Sequence, residues 1–164
     1  MADKTETRTA VVVTDGDART VISGFHGLTV LKSTDDRIMS TDVATRWRYD
    51  ASKVAAGEID FDAVYADVKQ IILTKFTDHY SRALQETLQL MGTAVLEAHP
   101  EIEEIKFSCP NKHHFVYDLS WCGLENNLET HYAADRPFGL IEATLTREDA
   151  SDAEAAWMGI NGFI

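Results

Sequence analysis

Short apolar runs rich in β-branched residues, separated by polar and glycine-containing segments, occupy the first third of the chain, a pattern typical of strands. The segments 8–13, 20–25 and 27–32 contain β-branched runs and are predicted to be strands. A turn is predicted at 15–17, and a kink at the glycines between the second and third segments. One more strand is predicted over 38–49, where alternate residues share one face: Thr41, Val43, Thr45, Trp47 and Tyr49.

After residue 60 the period changes to that of helices. Apolar residues recur three or four positions apart, and Asp60 stands where a helix N-cap is expected. A second helix is predicted to begin near Ser81 and to end before Pro100. The flanking residues His79 and His99 are expected to be exposed. The apolar stripes are Phe61, Val64, Val68, Ile71, Ile72 and Phe76 in the first helix and Leu84, Leu88, Met91 and Val95 in the second.

Alternation with period two returns after Pro100, and strands are predicted over 102–109, 114–120 and 138–146. Strands, then two helices, then strands again indicate an α+β fold with an antiparallel sheet and both amphipathic helices on one face. Such a sheet leaves a second face and two edges open. Edge-to-edge oligomerisation is therefore expected, because exposed edges favour pairing with another chain.

Length and charge narrow the class of protein. The chain has 164 residues and a formal net charge of −12, and its length fits one domain over 8–164 behind a disordered arm at 1–7. The acidic charge argues against nucleic-acid partners and anionic membrane surfaces. No apolar run approaches the roughly 20 residues of a membrane span, and the polar N-terminus does not resemble a secretory signal. A cytoplasmic protein with two reduced cysteines is expected.

Chemistry-bearing side chains concentrate in the turn 109–115, which has the sequence CPNKHHF. It places an amide, an ammonium and two imidazoles where a turn enters a strand, a common location for functional groups. A polar surface turn remains the simpler interpretation of these residue types. A metal site is not expected, because His113 and His114 would point to opposite faces of a strand.

Several contiguous motifs of the chain resemble those of the urate oxidase (uricase) family. They follow in the family's order from about Arg8 to the C-terminus and match only the second of the family's two tandem domains. The motifs are GLTVLKST at 27–34, DRI at 36–38, STDV at 40–43, ALQET at 83–87, NKHHF at 111–115, DL at 118–119, GLEN at 123–126 and DRPFGLIEAT at 135–144.

This resemblance implies the tunnelling fold, in which two antiparallel strand pairs lie under two helices and the sheets of several domains join into a barrel. It implies oxidation of urate by O₂ to 5-hydroxyisourate and H₂O₂, without a metal or organic cofactor. The implied partners are urate, O₂ and either further copies of this chain or a separate N-terminal domain of the same family.

The matching motifs also imply roles for individual residues. Arg37 corresponds to the arginine that binds the urate carbonyl and ring edge, and Gln85 to the glutamine on the opposite edge. Leu84 stands where a backbone N–H meets the substrate. Asn111 matches the asparagine that holds O₂ or water above the ring, and His113 matches the histidine of the proton relay.

The chain departs from the family pattern at several places. The family's first domain, which brings the lysine and threonine of the proton relay, has no counterpart here. A segment of roughly 18 residues, which carries the phenylalanine that stacks on urate, is missing between Thr34 and Asp35. Cys109, Trp121 and Cys122 replace other residues near the turn.

Two hypotheses follow from the resemblance and these departures. The chain is a urate oxidase subunit completed by a second domain or chain, or it is a non-catalytic module that oligomerises and binds a purine-like ring or nothing. A pterin-handling protein of the same fold would need a buried glutamate. Glu142 lies in a suitable strand, but the urate oxidase resemblance accounts for it without a pterin.

Overall fold

The computed structural model describes residues 38–134, 137–153 and 156–158. The arm predicted at 1–7 and the strands predicted over 8–32 lie outside the described residues, as does Arg37. The elements in chain order are β1 (Ala44–Tyr49), α1 (Ala51–Ala56), α2 (Phe61–Thr77), α3 (Leu84–Ala98), β2 (Ile102–Pro110), β3 (His114–Val116), a 3₁₀ turn (Ser120–Cys122), β4 (His131–Ala133) and β5 (Leu140–Thr146).

The described strands form two antiparallel sheets. In the larger one β2 lies between β1 and β5, pairing Ser108 with Ala44 and Cys109 with Ile141. In the smaller one β3 and β4 form a pair in which Phe115 lies opposite Tyr132. The antiparallel sheet expected from the sequence is confirmed.

The two long helices lie side by side on one face of the larger sheet and enclose the core with it. Both predicted apolar stripes point into this core except at Phe61, which is exposed, and the predicted apolar face of β2 points into it as well. The buried core residues are Val64, Val68, Ile72, Leu84, Leu88, Met91, Val95, Ile102, Ile105, Phe107 and Cys109, with Ile141, Ala143 and Leu145 of β5 packed against them.

Side-chain caps explain where two helices begin. The Asp60 carboxylate accepts a hydrogen bond from Ala63 N (3.0 Å), as the sequence predicts for α2. Helix α1 was not predicted from the sequence. The carboxylate of Asp50 caps it at Ser52 N (2.8 Å), and Gly57 ends it in the left-handed region with φ of 71°. Because α1 has only six residues and buries none of them, it has no apolar stripe that sequence reasoning could detect.

Several predicted boundaries were wrong. The strand predicted over 38–49 begins only at Ala44, and the strand predicted over 138–146 begins at Leu140. The second helix begins at Leu84 rather than near Ser81, whose hydroxyl instead donates to the Ala83 carbonyl (3.0 Å) and holds these residues in a turn.

The strand predicted over 114–120 ends at Val116, and its partner β4 was missed. The loop after it is organised by polar side chains. Asp118 Oδ1 accepts from Ser120 N (2.9 Å), and the Asn126 amide donates to the carbonyls of Tyr117 (2.8 Å) and Thr130 (2.6 Å). These bonds replace the strand ladder after Val116.

A β-bulge gives the larger sheet a buried polar face. Arg48 lies opposite Glu104 and Tyr49 lies opposite Ile102, so Glu103 is an extra residue on β2. Because side chains alternate between the two faces of a strand, the extra residue Glu103 places Ile102 on the same, core-facing side as Ile105. On the other side Arg48 pairs with Glu103, and both are buried.

The second face of the sheet is covered in part, whereas the sequence led us to expect it to be open. Ser151 Oγ donates to Glu103 Oε2 (2.8 Å), and the Lys106 ammonium lies 4.5 Å from the centroid of the Trp157 ring. Trp157 is itself buried. Residues from the C-terminal end of the chain therefore cover part of this face.

His99 is buried, with 8% of its surface exposed, so the expectation that it is exposed was wrong. Its ring contacts Glu101 Oε1 (2.8 Å, through Nδ1) and Asp67 Oδ2 (3.1 Å, through Nε2). The two cysteines are both free; Cys109 is buried and Cys122 is exposed. Among the described residues, no helix has the length and apolar character needed to cross a membrane.

Candidate functional site

The topology brings the predicted site residues to one end of the sheet. Strand β2 ends at Pro110, which pairs with Leu140 at the start of β5. Helix α3 ends at Ala98, shortly before β2 begins, so it runs back along the sheet and its first residue, Leu84, lies at the same end as Pro110. The start of β1, at Ala44, also lies there, opposite Ser108.

The backbone of the turn 111–113 is held by three separate segments. Asn111 N donates to Gly139 O (2.8 Å), and Lys112 N donates to Ser40 O (3.0 Å). The carbonyl of His113 accepts from Ala134 N (2.9 Å). Each residue of the turn therefore has a backbone hydrogen bond to a part of the chain that is distant in sequence.

The side chains of Asn111 and His113 are half-buried, and neither has a hydrogen-bond partner within the described part of the chain. The His113 ring lies 6.0 Å from the Phe115 ring, centroid to centroid. An asparagine amide offers donors and an acceptor, and an imidazole can take up and release a proton near neutral pH. A rigid turn thus presents two polar side chains that are available to a ligand.

Helix α3 differs from α1 and α2 at its start. Its N-cap residue, Ala83, makes no side-chain hydrogen bond, whereas aspartates cap the other two helices. The first N–H groups of a helix lack intrahelical partners and attract anions. The side chain of Leu84 is buried in the core and anchors this end of α3, which agrees with a role for its backbone N–H rather than its side chain.

The side chain of Gln85 is exposed and borders a groove of about 660 Å³ between α3 and β5. Ile141 and Glu142 line the same groove. Since Asn111 is bonded to Gly139, two residues before Ile141, Gln85 and the turn both border the start of β5. The roles assigned to these residues, and to Arg37 outside the described part, stay predictions.

The structure adds Asp42 to the surroundings of the turn. Asp42 Oδ2 lies 2.5 Å from the Lys112 ammonium. Sequence reasoning quoted both residues inside motifs but gave them no role. The spacing of 70 positions carries no local signal, so only the tertiary structure shows that they pair.

Cys109 lies in β2, two positions before the turn 111–113, and its thiol is buried. Burial raises the pKa of this thiol to about 11, although hydrogen bonding to Thr41 acts in the opposite direction. A thiol with so high a pKa is a poor nucleophile at neutral pH. The Cys109 thiol is therefore not expected to act as a nucleophile at this end of the sheet.

Two long helices over an antiparallel sheet, with a rigid polar turn at one end, define an α+β module of the tunnelling fold. Comparison with known proteins agrees. The sequence profile of the family described as Uricase matches residues 11–142. The uricase of Arthrobacter globiformis is 47% identical over 179 aligned positions, which cover 98% of this chain and 58% of that protein. The uricase of Cyberlindnera jadinii is 39% identical over 77% of this chain and 46% of its own.

Solved structures show the same relationship. The crystal structure of uricase from Arthrobacter globiformis matches 76% of this chain and 42% of its own, with 54% identity and a TM-score of 0.69. A hyperthermostable mutant of Bacillus sp. TB-90 urate oxidase, at 15% identity and a TM-score of 0.58, shares the fold. The chain belongs to the uricase family.

The chain spans only about half the length of the curated relatives that it matches, 58% and 46% for the two named above. The Arthrobacter alignment has 179 positions, whereas 98% of 164 residues is about 161, so about 18 positions of that relative have no residue here. The location of these positions along the chain, including the segment expected to be missing between Thr34 and Asp35, stays a prediction.

Proposed function

We propose that this chain forms one half of a urate oxidase site, which a second tunnelling-fold domain or chain completes. This proposal rests mainly on the turn 111–113, which lies at the end of the sheet where α3 begins. Among the described residues, the side chains of Asn111 and His113 have no hydrogen-bond partner and are available to a ligand. Membership of the uricase family supports urate as the substrate class. The overall reaction converts urate, O₂ and water into 5-hydroxyisourate and H₂O₂.

Binding of the urate anion is assigned to three groups. The guanidinium of Arg37 is permanently charged and offers a planar fork of donors to the carbonyl edge. The Gln85 amide bonds the opposite edge as both donor and acceptor. The backbone N–H of Leu84 lies at an N-terminus without a side-chain cap, which favours a negatively charged ligand.

The chemical step needs orientation and proton transfer more than a cofactor. Deprotonated urate is a conjugated electron donor, so two electrons pass from its ring to O₂ and two protons complete H₂O₂. Asn111 would hold O₂, and then water, above the ring through its amide. His113 would carry protons between the ring, the oxygen species and solvent. Holding these partners in place supplies much of the rate acceleration.

The proposal includes partners because the site in this chain is half of the family's site. By the family resemblance, the lysine and threonine of the relay belong to the first domain, which lies outside the part of the relatives that this chain covers. Oligomerisation into a barrel would bring a second domain to the end of the sheet where the turn lies. Either another copy of this chain or a separate N-terminal domain would serve.

The test uses two preparations. The first is this chain alone, and the second is this chain mixed with a fragment of Arthrobacter globiformis uricase, namely the part of that protein that this chain does not match. Urate loss is followed by near-ultraviolet absorbance and H₂O₂ by a peroxidase-coupled dye. We expect turnover at least in the mixture. Inactivity of both preparations beside an active intact Arthrobacter enzyme would refute the proposal.

Alanine variants test whether urate turnover depends on the side chains of the turn 111–113. His113→Ala and Asn111→Ala should each lower turnover by about 100-fold. His114→Ala is the matched control, because His114 is the neighbouring half-buried imidazole and, among the described residues, its ring has only a long hydrogen bond, to Lys112 O at 3.3 Å. Equal losses in all three variants would contradict a specific role for Asn111 and His113.

The segment expected to be missing between Thr34 and Asp35 favours a second candidate function, and the Arthrobacter relative has about 18 positions without a residue here. Without the stacking phenylalanine that this segment carries in the family, the chain would bind a purine-like ring without oxidising it. Anaerobic calorimetry of the same two preparations with urate and xanthine distinguishes the candidates. Tight binding without turnover supports the binding module, and turnover excludes it.

A further inference from the structure

Residues 40–42 lie against the site turn and contact it in consecutive positions. The carbonyl of Ser40 accepts the hydrogen bond from Lys112 N at 3.0 Å. The hydroxyl of Thr41 lies beside the Cys109 thiol. The carboxylate of Asp42 lies 2.5 Å from the Lys112 ammonium. This segment therefore supports the turn from one side through both backbone and side-chain contacts.

The ion pair between Asp42 and Lys112 adds little to the stability of the fold. The Asp42 side chain is 74% exposed and the Lys112 side chain 37%. Exposed pairs gain little, because water screens the charges and two long side chains lose freedom. Removing the ion pair should therefore change the position of Lys112 rather than the stability of the fold.

Lys112 stands between Asn111 and His113 in the chain, so a displacement of Lys112 is passed to both neighbours. We propose that Asp42 is a positioning residue for the turn: by holding the Lys112 ammonium, its carboxylate sets where Asn111 and His113 meet the ligand. This inference rests on the function proposed for the same turn. Asp42 acts through Lys112 and does not itself touch the substrate.

Four variants test the inference in whichever preparation oxidises urate. Asp42→Asn keeps the shape and removes the charge, and Lys112→Met removes its partner. Each should lower kcat by at least about tenfold, because small displacements of reacting groups are costly, while KM for urate stays within about threefold. The double variant should be no slower than Lys112→Met alone, and Asp42→Glu should restore most of the activity.

Asp62→Asn is the matched control. Asp62 is an exposed acid in the first turn of α2 and is not part of the site. It should leave kcat, KM and the melting temperature unchanged. Asp42→Asn should also leave the melting temperature unchanged, so that lower turnover cannot be assigned to unfolding. The inference is overturned if Asp42→Asn has the same kcat as the unchanged protein. It is also overturned if the losses of Asp42→Asn and Lys112→Met add in the double variant.

A second readout does not depend on activity. In backbone amide NMR spectra of the isolated chain, Asp42→Asn and Lys112→Met should shift the resonances of residues 111–113 in the same direction and leave those of α2 in place. Unchanged turn resonances would overturn the inference even in an active preparation. If no preparation oxidises urate, the proposed function fails, and the spectra alone decide whether Asp42 holds the turn.

Discussion

Gly92 of α3 lies so close to Leu145 of β5 that a Cβ atom on the glycine would stand 2.7 Å from Leu145 Cδ1. The missing side chain lets the helix approach the sheet at this crossing. It also keeps α3 aligned with β2 and β5, so that its first residue, Leu84, reaches the end of the sheet where the turn lies.

Gly92→Ala should therefore destabilise the protein, although alanine is the better helix former. The helix preference gains about 1 kcal/mol, whereas overpacking costs roughly 1–3 kcal/mol. Leu145 borders the groove and can shift into it, so we expect a net loss of about 1 kcal/mol. Denaturant unfolding measures the change.

A double-mutant cycle of Gly92→Ala with Leu145→Ala tests whether the contact with Leu145 causes this loss of stability. The double variant should lose less stability than the two single changes added together, because the shorter side chain makes room for the new methyl group. Thr93→Ala, at the exposed neighbouring position, should be neutral or slightly stabilising. Additive losses would show that the contact with Leu145 is not the reason.

The buried pair of Arg48 and Glu103 at the β-bulge should be sensitive to the loss of either partner. Arg48→Met or Glu103→Gln leaves a buried group without its partner and should cost about 3–5 kcal/mol. Replacing both, as in Arg48→Met/Glu103→Leu, should recover part of the loss. Thermal and urea unfolding of the three variants measure these differences.

The more exposed pair of Arg82, just before α3, and Glu86, in its first turn, is the matched control. Hydrogen bonding to Arg82 lowers the pKa of the Glu86 carboxyl, but water surrounds much of the pair. Glu86→Gln should cost no more than about 0.5 kcal/mol. Equal costs at both pairs would contradict the importance of burial.

The two thiols should differ in reactivity. At about pH 8, iodoacetamide should modify the exposed Cys122 and spare the buried Cys109, whose pKa is raised to about 11. Peptide mass spectrometry of the folded and the urea-unfolded protein distinguishes the sites. Rapid modification of Cys109 in the folded protein would contradict its buried position.

The raised pKa of the Cys109 thiol predicts that the stability of the fold depends on pH. The unfolded chain releases the Cys109 proton near the ordinary pKa of 9, whereas the folded chain keeps it until about 11. The unfolded state therefore binds fewer protons between these values, and stability falls as pH rises from 9 to about 11. In Cys109→Ala the decline over this range should be shallower. An equal decline in both proteins would refute the assignment.

His99→Ala should destabilise the end of the sheet remote from the turn. Its ring bonds Asp67 of α2 and Glu101 before β2, and it is buried between them. Losing these bonds and the buried ring should cost about 2–3 kcal/mol. His114→Ala should cost less than about 1 kcal/mol, because its bond to Lys112 O is long. Unfolding curves of the two variants test the difference.

Much of the fold could be predicted from local patterns, and the misses have physical causes. The stripe from Leu84 to Val95 predicted α3 because a helix repeats its buried face every three to four residues. The strand over 102–109 was found because its alternation is strong. In contrast, β4 has only three residues, and its pairing with β3 depends on a loop held by Asn126. So short a segment carries no periodic signal.

The buried state of His99 was missed for a related reason. Histidine next to a helix end and a proline is usually exposed, and only the proximity of Asp67, 32 positions away, provides the ring with a buried partner. The extra residue Glu103 likewise becomes recognisable as a bulge only when Arg48 and Tyr49 lie opposite it.

The sequence by itself determined the α+β class, the two long helices and the residue types of the candidate site, because periodicity and contiguous motifs are local properties. Only the tertiary structure decided that Gly139, Ser40 and Ala134 hold the turn at Asn111, Lys112 and His113. Those bonds join segments as many as 72 positions apart, and their geometry depends on how β1, β2 and β5 pair. Long-range hydrogen bonds follow from packing, which no local pattern in the chain encodes.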